Sequence, residues 1–155
     1  MMNTENMTTQ NEMSIAFSAL SSNESFARTV IAAFIAPLNP TLSELMEIKT
    51  AVSEAVTNAI VHGYEGGGYN MFVCMGCRKL HTSDNTCIIE IEVADAGVGI
   101  PNISQAREPL YTSKPEQERS GMGFAVMESF MDSVEVTSIP GSSTKIVMTK
   151  ELTLG

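Results

Sequence analysis

Between Thr41 and His62 the apolar residues Leu45, Ile48, Val52, Ala55, Val56 and Ala59 keep helical spacing, while Glu47, Glu54 and Asn58 fall on the opposite side. A helix with one such stripe has to lie against another layer. The strand candidates that could form this layer flank it on both sides. "MSIAFSAL" (13–20) alternates, with Ile15, Phe17 and Ala19 on one face. "YNMFVCMGCRKL" and "TCIIEIEVAD" are rich in β-branched, aromatic and sulfur residues and read as a hairpin around the turn "HTSDN". "SVEVTS" and "STKIVMTKEL" read as a closing pair of strands around "IPGS". A first helix is expected over "SSNESFARTVIAAFIA", with Ser21 and Glu24 at capping-box spacing and Pro37 closing the apolar run. A last helix is expected over "FAVMESFMD". The order β-α-α-β-β-loop-α-β-β predicts an α+β fold, a two-layer sandwich with helices on one face of a mostly antiparallel sheet.

The chain has 155 residues, enough for one core without disulfides or metals. We read residues 1–11 as a disordered polar leader and 12–152 as a single domain. No apolar run approaches the roughly 20 residues of a membrane helix, and "MMNTENMTTQN" lacks the features of a signal peptide. Three cysteines, an odd number, suit a reducing compartment, so a cytoplasmic location is expected. The net charge of −9 argues against direct contact with nucleic acid and favours a protein, or a nucleotide neutralised by a cation, as partner.

The long stripe helix ends in "EAVTNAIVHGYEGGG", with Glu54 and Asn58 one turn apart on one face just before a glycine cluster. Downstream, "DAGVGI" (95–100) ends a strand with an acid and two alternate glycines, and "RSGMGF" (119–124) sets two more before a helix, where free N–H groups and the dipole favour an anion. Neither is a Walker loop or a Rossmann fingerprint. Between them runs a stretch (97–123) with Pro, Gly and charge but little periodicity, of a length that suggests a lid. His62 reads as a helix-end residue, and the 11 methionines as core filler.

Taken in order, Glu54-x-x-x-Asn58, Asp95-x-Gly97-x-Gly99, a long loop, Gly121-x-Gly123 and "GSST" resemble the motifs of the GHKL ATP-binding fold shared by histidine kinases, type II topoisomerases, Hsp90 and MutL. Over roughly residues 11–150 the chain resembles the anti-sigma factor serine kinases of this superfamily. Within them, "NEMSIAFSALSSNESFAR", "EIKTAVSEAVTNAIVHGYE" and "EPLYTSKPEQERSGMGFAVMESFMD" resemble the sporulation anti-sigma-F factors of endospore-forming bacteria. The resemblance implies an ATP-dependent kinase that holds a sigma factor, phosphorylates a serine on an anti-anti-sigma protein and forms a homodimer. A phosphoryl donor needs a divalent cation, and the carbonyl of Asn58 is a hard ligand suited to Mg²⁺. One turn earlier, Glu54 can take the proton of the attacking serine, the role of base that the resemblance also implies. It further implies that Asp95 accepts from the adenine amino group, that Gly97 and Gly99 let the backbone approach the base, that Gly121 and Gly123 bring amides to the phosphates, and that Thr144 supports the adenine side. Lys114 and Arg119 lie in the lid, where cations could clamp the terminal phosphate. The resemblance places Arg28 at the sigma-factor surface.

Two alternatives stand beside this reading. One is a nucleotide-dependent sigma-binding module that transfers nothing, against which the presence of Glu54 argues. The other is a zinc-stapled binding module using Cys74, Cys77, His81 and Cys87; a regular strand over 71–79 would point Cys74 and Cys77 to opposite faces.

Overall fold

The computed structural model describes Thr4, residues 7–108 and residues 123–154. Its elements run β1 (Thr8–Ala19), α1 (Asn23–Ile35), a 3-10 turn Ala36–Leu38, α2 (Leu42–Asn58), a π turn Ala59–Gly63, β2 (Gly68–Ser83), β3 (Thr86–Asp95), α3 (Ile103–Ala106), α4 (Gly123–Phe130), β4 (Ser133–Ile139) and β5 (Ser143–Thr153). The strands form one sheet in the order β1-β2-β3-β5-β4, every neighbouring pair antiparallel. This is the expected α+β sandwich.

Strand alternation decides where the core lies. Phe17 on β1, Val73, Met75 and Cys77 on β2, Ile89, Ile91 and Val93 on β3, and Ile146 and Met148 on β5 share one face and are buried. They pack in one cluster with Ile31 and Ile35 of α1, Ile48, Val52 and Val56 of α2, and Met127 of α4, so the helices cover that face. The opposite face is polar along its middle, where the Arg78 Nη2–Glu90 Oε1 pair is 2.6 Å apart.

α2 starts where its cap dictates: Thr41 Oγ1 accepts from Glu44 N–H at 3.1 Å and Glu44 Oε1 accepts from Thr41 N–H at 2.8 Å. Its polar flank is not a solvated stripe. Glu47 reaches Lys150 Nζ on β5 at 3.0 Å, and three turns on, Asn58 looks over the other end of the same strand. This flank therefore runs along the sheet above β5.

Several boundaries differ from expectation. The first helix is not capped by Ser21 and Glu24. Its N-cap is Ser22, without a side-chain bond, because Glu24 Oε1 is taken by the Thr57 hydroxyl of α2 at 2.6 Å. β1 begins at Thr8, inside the expected leader, since Thr8 and Thr9 already pair with His81 and Leu80. The β2–β3 turn tightens to Asp84 and Asn85, as Ser83 and Thr86 still pair. The expected structureless stretch contains α3, capped by Asn102 Oδ1 on Gln105 N–H at 3.0 Å. The single helix expected to His62 stops being α-helical at Asn58 and widens into the π turn.

The zinc module fails on the strand geometry. Cys74 is exposed on one face while Cys77 and Cys87 are buried on the other. Burial pushes the Cys77 thiol up to about 12, the reverse of what a thiolate ligand needs. Among the described residues no three His, Cys, Asp or Glu side chains converge as metal ligands.

Candidate functional site

The site begins with the π turn. Tyr64 N–H reaches back to Ala59 O at 2.9 Å and Gly66 N–H to Ile60 O at 3.0 Å, wider spans than an α-helix makes. The widened turn carries Gly63 onto the end of β3. A Cβ on Gly63 would stand 2.7 Å from Asp95 Cγ, so only glycine lets the turn close over this carboxylate. Its carbonyl accepts from Val98 N–H at 2.9 Å. A Cβ on Gly97 would fall 2.0 Å from that same carbonyl oxygen. Gly99 has φ +75° and would press a Cβ to 2.5 Å from Ile139 O. Gly97 and Gly99 therefore have packing reasons of their own: the loop after β3 is held between the π turn and the β4–β5 turn, where Gly141 N–H donates to Val98 O at 2.6 Å.

Asp95 is the last residue of β3 and is 8% exposed. Burial raises its carboxyl to about 6, against a smaller lowering from the Gly97 N–H that donates to Oδ1 at 2.9 Å. That bond is its sole hydrogen bond from the described residues, so acceptor capacity remains on the carboxylate. Opposite it in the ladder is Thr144, 5% exposed. The Thr144 hydroxyl lies 3.1 Å from Ser138 Oγ, which also accepts from Ile100 N–H at 2.7 Å.

One recess brings these groups together. It is lined by Asn58, Asp95, Gly99 and Thr144, with His62, Gly63 and Ile100 beside them and Ala55, Val93 and Ile146 as its apolar floor. Four expected site residues from three separate segments of chain thus meet. Gly97 stands directly behind the recess, packed on Gly63. Glu54 is half-buried on α2, one turn before Asn58, but does not line the recess. Gly123 opens α4, whereas Lys114, Arg119 and Gly121 lie outside the described residues. Arg28 is on α1, away from the recess, and its Nη1 donates to Ser53 Oγ at 2.8 Å.

Gly63, Ser138 and Ile100 were not expected here, and His62 was expected to be no more than a helix end. Gly63 sits in a glycine-rich helix exit where it reads as punctuation; its partner Asp95 is 32 positions away. Ser138 carries no local signal at all.

Residues 17–150 match the histidine kinase-like ATPase domain family. The chain is 55% identical to the anti-sigma F factor of Bacillus licheniformis over 92% of its own length and 94% of that protein. It is 56% identical to the anti-sigma F factor of Oceanobacillus iheyensis over the same shares. The chain belongs to the anti-sigma F branch of the histidine kinase-like ATPase family. Among solved structures, the RsbU and RsbW domains of a Mycobacterium tuberculosis protein match with a TM-score of 0.64 at 16% identity over 93% of this chain, which spans 33% of that one. The catalytic domain of the histidine kinase ThkA matches with a TM-score of 0.51 at 12% identity over 94% of this chain and 97% of the other. At these identities the two structures speak for the fold of an anti-sigma F family member. Among the described residues no helix of this family member is long and apolar enough to cross a membrane.

Proposed function

We propose that this chain is a cytoplasmic anti-sigma factor that captures a sporulation sigma factor and, as a homodimer, uses ATP to phosphorylate a serine on an anti-anti-sigma protein. The observation that carries the reading is the recess itself, where Asn58, Asp95, Gly99 and Thr144 converge, in a chain more than half identical to anti-sigma F factors.

The residues fit a purine nucleotide. Asp95 offers a buried acceptor to an exocyclic amino group, and such a charge-assisted bond is worth about 1.5–3 kcal/mol. The apolar floor of Ala55, Val93 and Ile146 suits the face of a base, and the Thr144–Ser138 hydroxyl pair adds polar contact on the same side. Gly123, at the start of α4, and Gly121 would direct amides to the phosphates, with Lys114 and Arg119 as clamping cations. The Asn58 carbonyl, on the rim of the recess, suits Mg²⁺, which when bound offsets phosphate charge.

In the transfer, the serine oxygen forms a bond to the γ-phosphorus while the bond from that phosphorus to the bridging oxygen breaks, leaving ADP. Glu54 takes the serine proton. Its place one turn from Asn58 on the same flank supports this role. On α1, Arg28 uses Nη1 on Ser53 and has no other partner among the described residues, so donors remain for an acidic group on the sigma factor.

The test is incubation with radiolabelled ATP, Mg²⁺ and a candidate anti-anti-sigma protein. Labelled serine is expected. Capture of a sigma factor without any transfer would leave a nucleotide-dependent binding module instead.

A further inference from the structure

We infer that Tyr64 is a positioning residue for nucleotide selection: its hydroxyl is a wedge that opens the β2–β3 ladder and so aims Asp95 into the recess. This rests on the reading of Asp95 as the adenine acceptor.

In the β2–β3 ladder Cys74 pairs with Ala94. Two residues further in the same register, Phe72 would stand opposite Ala96 and the ladder would continue. It does not, because the Tyr64 hydroxyl stands between them. Tyr64 Oη donates to Phe72 O at 2.6 Å and accepts from Ala96 N–H at 2.8 Å. The hydroxyl thus replaces one backbone bond by two, satisfying both groups while holding the strands apart. Beyond this point β2 runs on to Gly68 beside β1 alone, while the chain after Asp95 leaves β3.

The three amides that follow Asp95 are then each held by a different group. Ala96 N–H goes to Tyr64 Oη, Gly97 N–H to Asp95 Oδ1, and Val98 N–H to Gly63 O. Two of the three acceptors belong to the adjacent residues Gly63 and Tyr64, so the end of the Asn58 helix dictates the path of the Asp95 loop. The Tyr64 ring packs against the core and its hydroxyl reaches a backbone that is otherwise exposed. Tyr64 is not among the described residues that line the recess; it acts through Asp95.

A positioning role separates from a merely structural one by nucleotide choice. Tyr64→Phe keeps the ring and removes only the relay. ADP and purine riboside diphosphate, which lacks just the 6-amino group, should be titrated against the wild-type protein and the variant, with thermal unfolding recorded for both. The wild type should prefer ADP. In Tyr64→Phe that preference should shrink about 2- to 10-fold, the scale of one lost hydrogen bond, while affinity for purine riboside diphosphate stays unchanged. Equal weakening of both nucleotides, or an unchanged preference, overturns the role of Tyr64 and leaves the Asp95 reading intact. If the wild type itself binds both nucleotides equally, the Asp95 contact is overturned and the role of Tyr64 with it.

Discussion

Replacing Asp95 by Asn should move nucleotide affinity and fold stability in opposite directions. In the folded protein burial holds the Asp95 carboxyl near 6 rather than the usual 3.8. A folded-state value above the unfolded one means that the stability gained from protonating this group is fully present below about 3.8 and is lost as pH rises through about 6. At pH 7.5 the ionised carboxylate therefore costs the empty protein on the order of 2 to 3 kcal/mol, from a shift of about two units at roughly 1.4 kcal/mol each. Asn keeps the shape, and its side-chain oxygen can still accept from Gly97 N–H. Asp95→Asn should then melt roughly 4 to 10 °C higher than wild type at pH 7.5, with the difference fading as the buffer approaches pH 4. Its amide nitrogen, however, would face the adenine amino group donor to donor. Loss of a charged acceptor worth about 1.5–3 kcal/mol should weaken ADP roughly 10- to 150-fold. Differential scanning calorimetry across pH and titration calorimetry with ADP measure the two arms. Unchanged ADP affinity would refute the adenine contact; equal melting temperatures at pH 7.5 would refute the burial cost. In the wild type, ADP affinity should fall between pH 7.5 and 5 as the acceptor is protonated.

Three further expectations concern other residues. Glu54→Gln should keep nucleotide and partner binding but slow single-turnover transfer by about 10²- to 10⁴-fold, and transfer at the wild-type rate would remove Glu54 as the base. Asn58→Ala should weaken Mg·ATP while leaving metal-free ADP affinity nearly unchanged, which paired titrations with and without Mg²⁺ would reveal. Arg28→Glu should abolish pull-down of the sigma factor while ATP binding persists; because it also breaks the bond to Ser53, its melting curve has to be taken beside the pull-down, and equal capture by both proteins would refute the assignment.

The elements most legible in the sequence are those whose signals are local. The stripe from Leu45 to Ala59 marks both the existence of α2 and the side that meets the sheet, and strand alternation along Cys74 to Cys77 is enough to separate the two thiols. The capping box was legible at the wrong helix: Ser21 and Glu24 have the spacing, but Glu24 finds a better partner in Thr57 across the α1–α2 seam. Thr41 and Glu44, with the same spacing and no such competitor, form the cap. Local propensity yielded where a tertiary bond was on offer.

The same distinction divides the site. Asn58, Asp95, Gly99 and Thr144 could be named because each belongs to a motif, yet what joins them is not in the motifs. α2 runs above β5 from Lys150 towards Thr144, and an ideal α-helix continuing past Asn58 would not deliver Gly63 onto Asp95. The π turn does, at the one residue type that fits within 2.7 Å of the carboxylate. Gly63→Ala consequently tests the join rather than any contact with ligand. The added methyl has to displace either the turn or Asp95, and such overpacking costs about 1–3 kcal/mol. If the turn gives way, Val98 N–H loses its acceptor and the loop of Gly97 moves with it. Urea denaturation should show the loss in stability, and ADP affinity should fall by more than it does in Asn58→Ala, because the variant disturbs Asp95 and its loop together. A Gly63→Ala protein with wild-type stability and ADP affinity would mean that the π turn is incidental, and that the recess is organised by the strand ends alone.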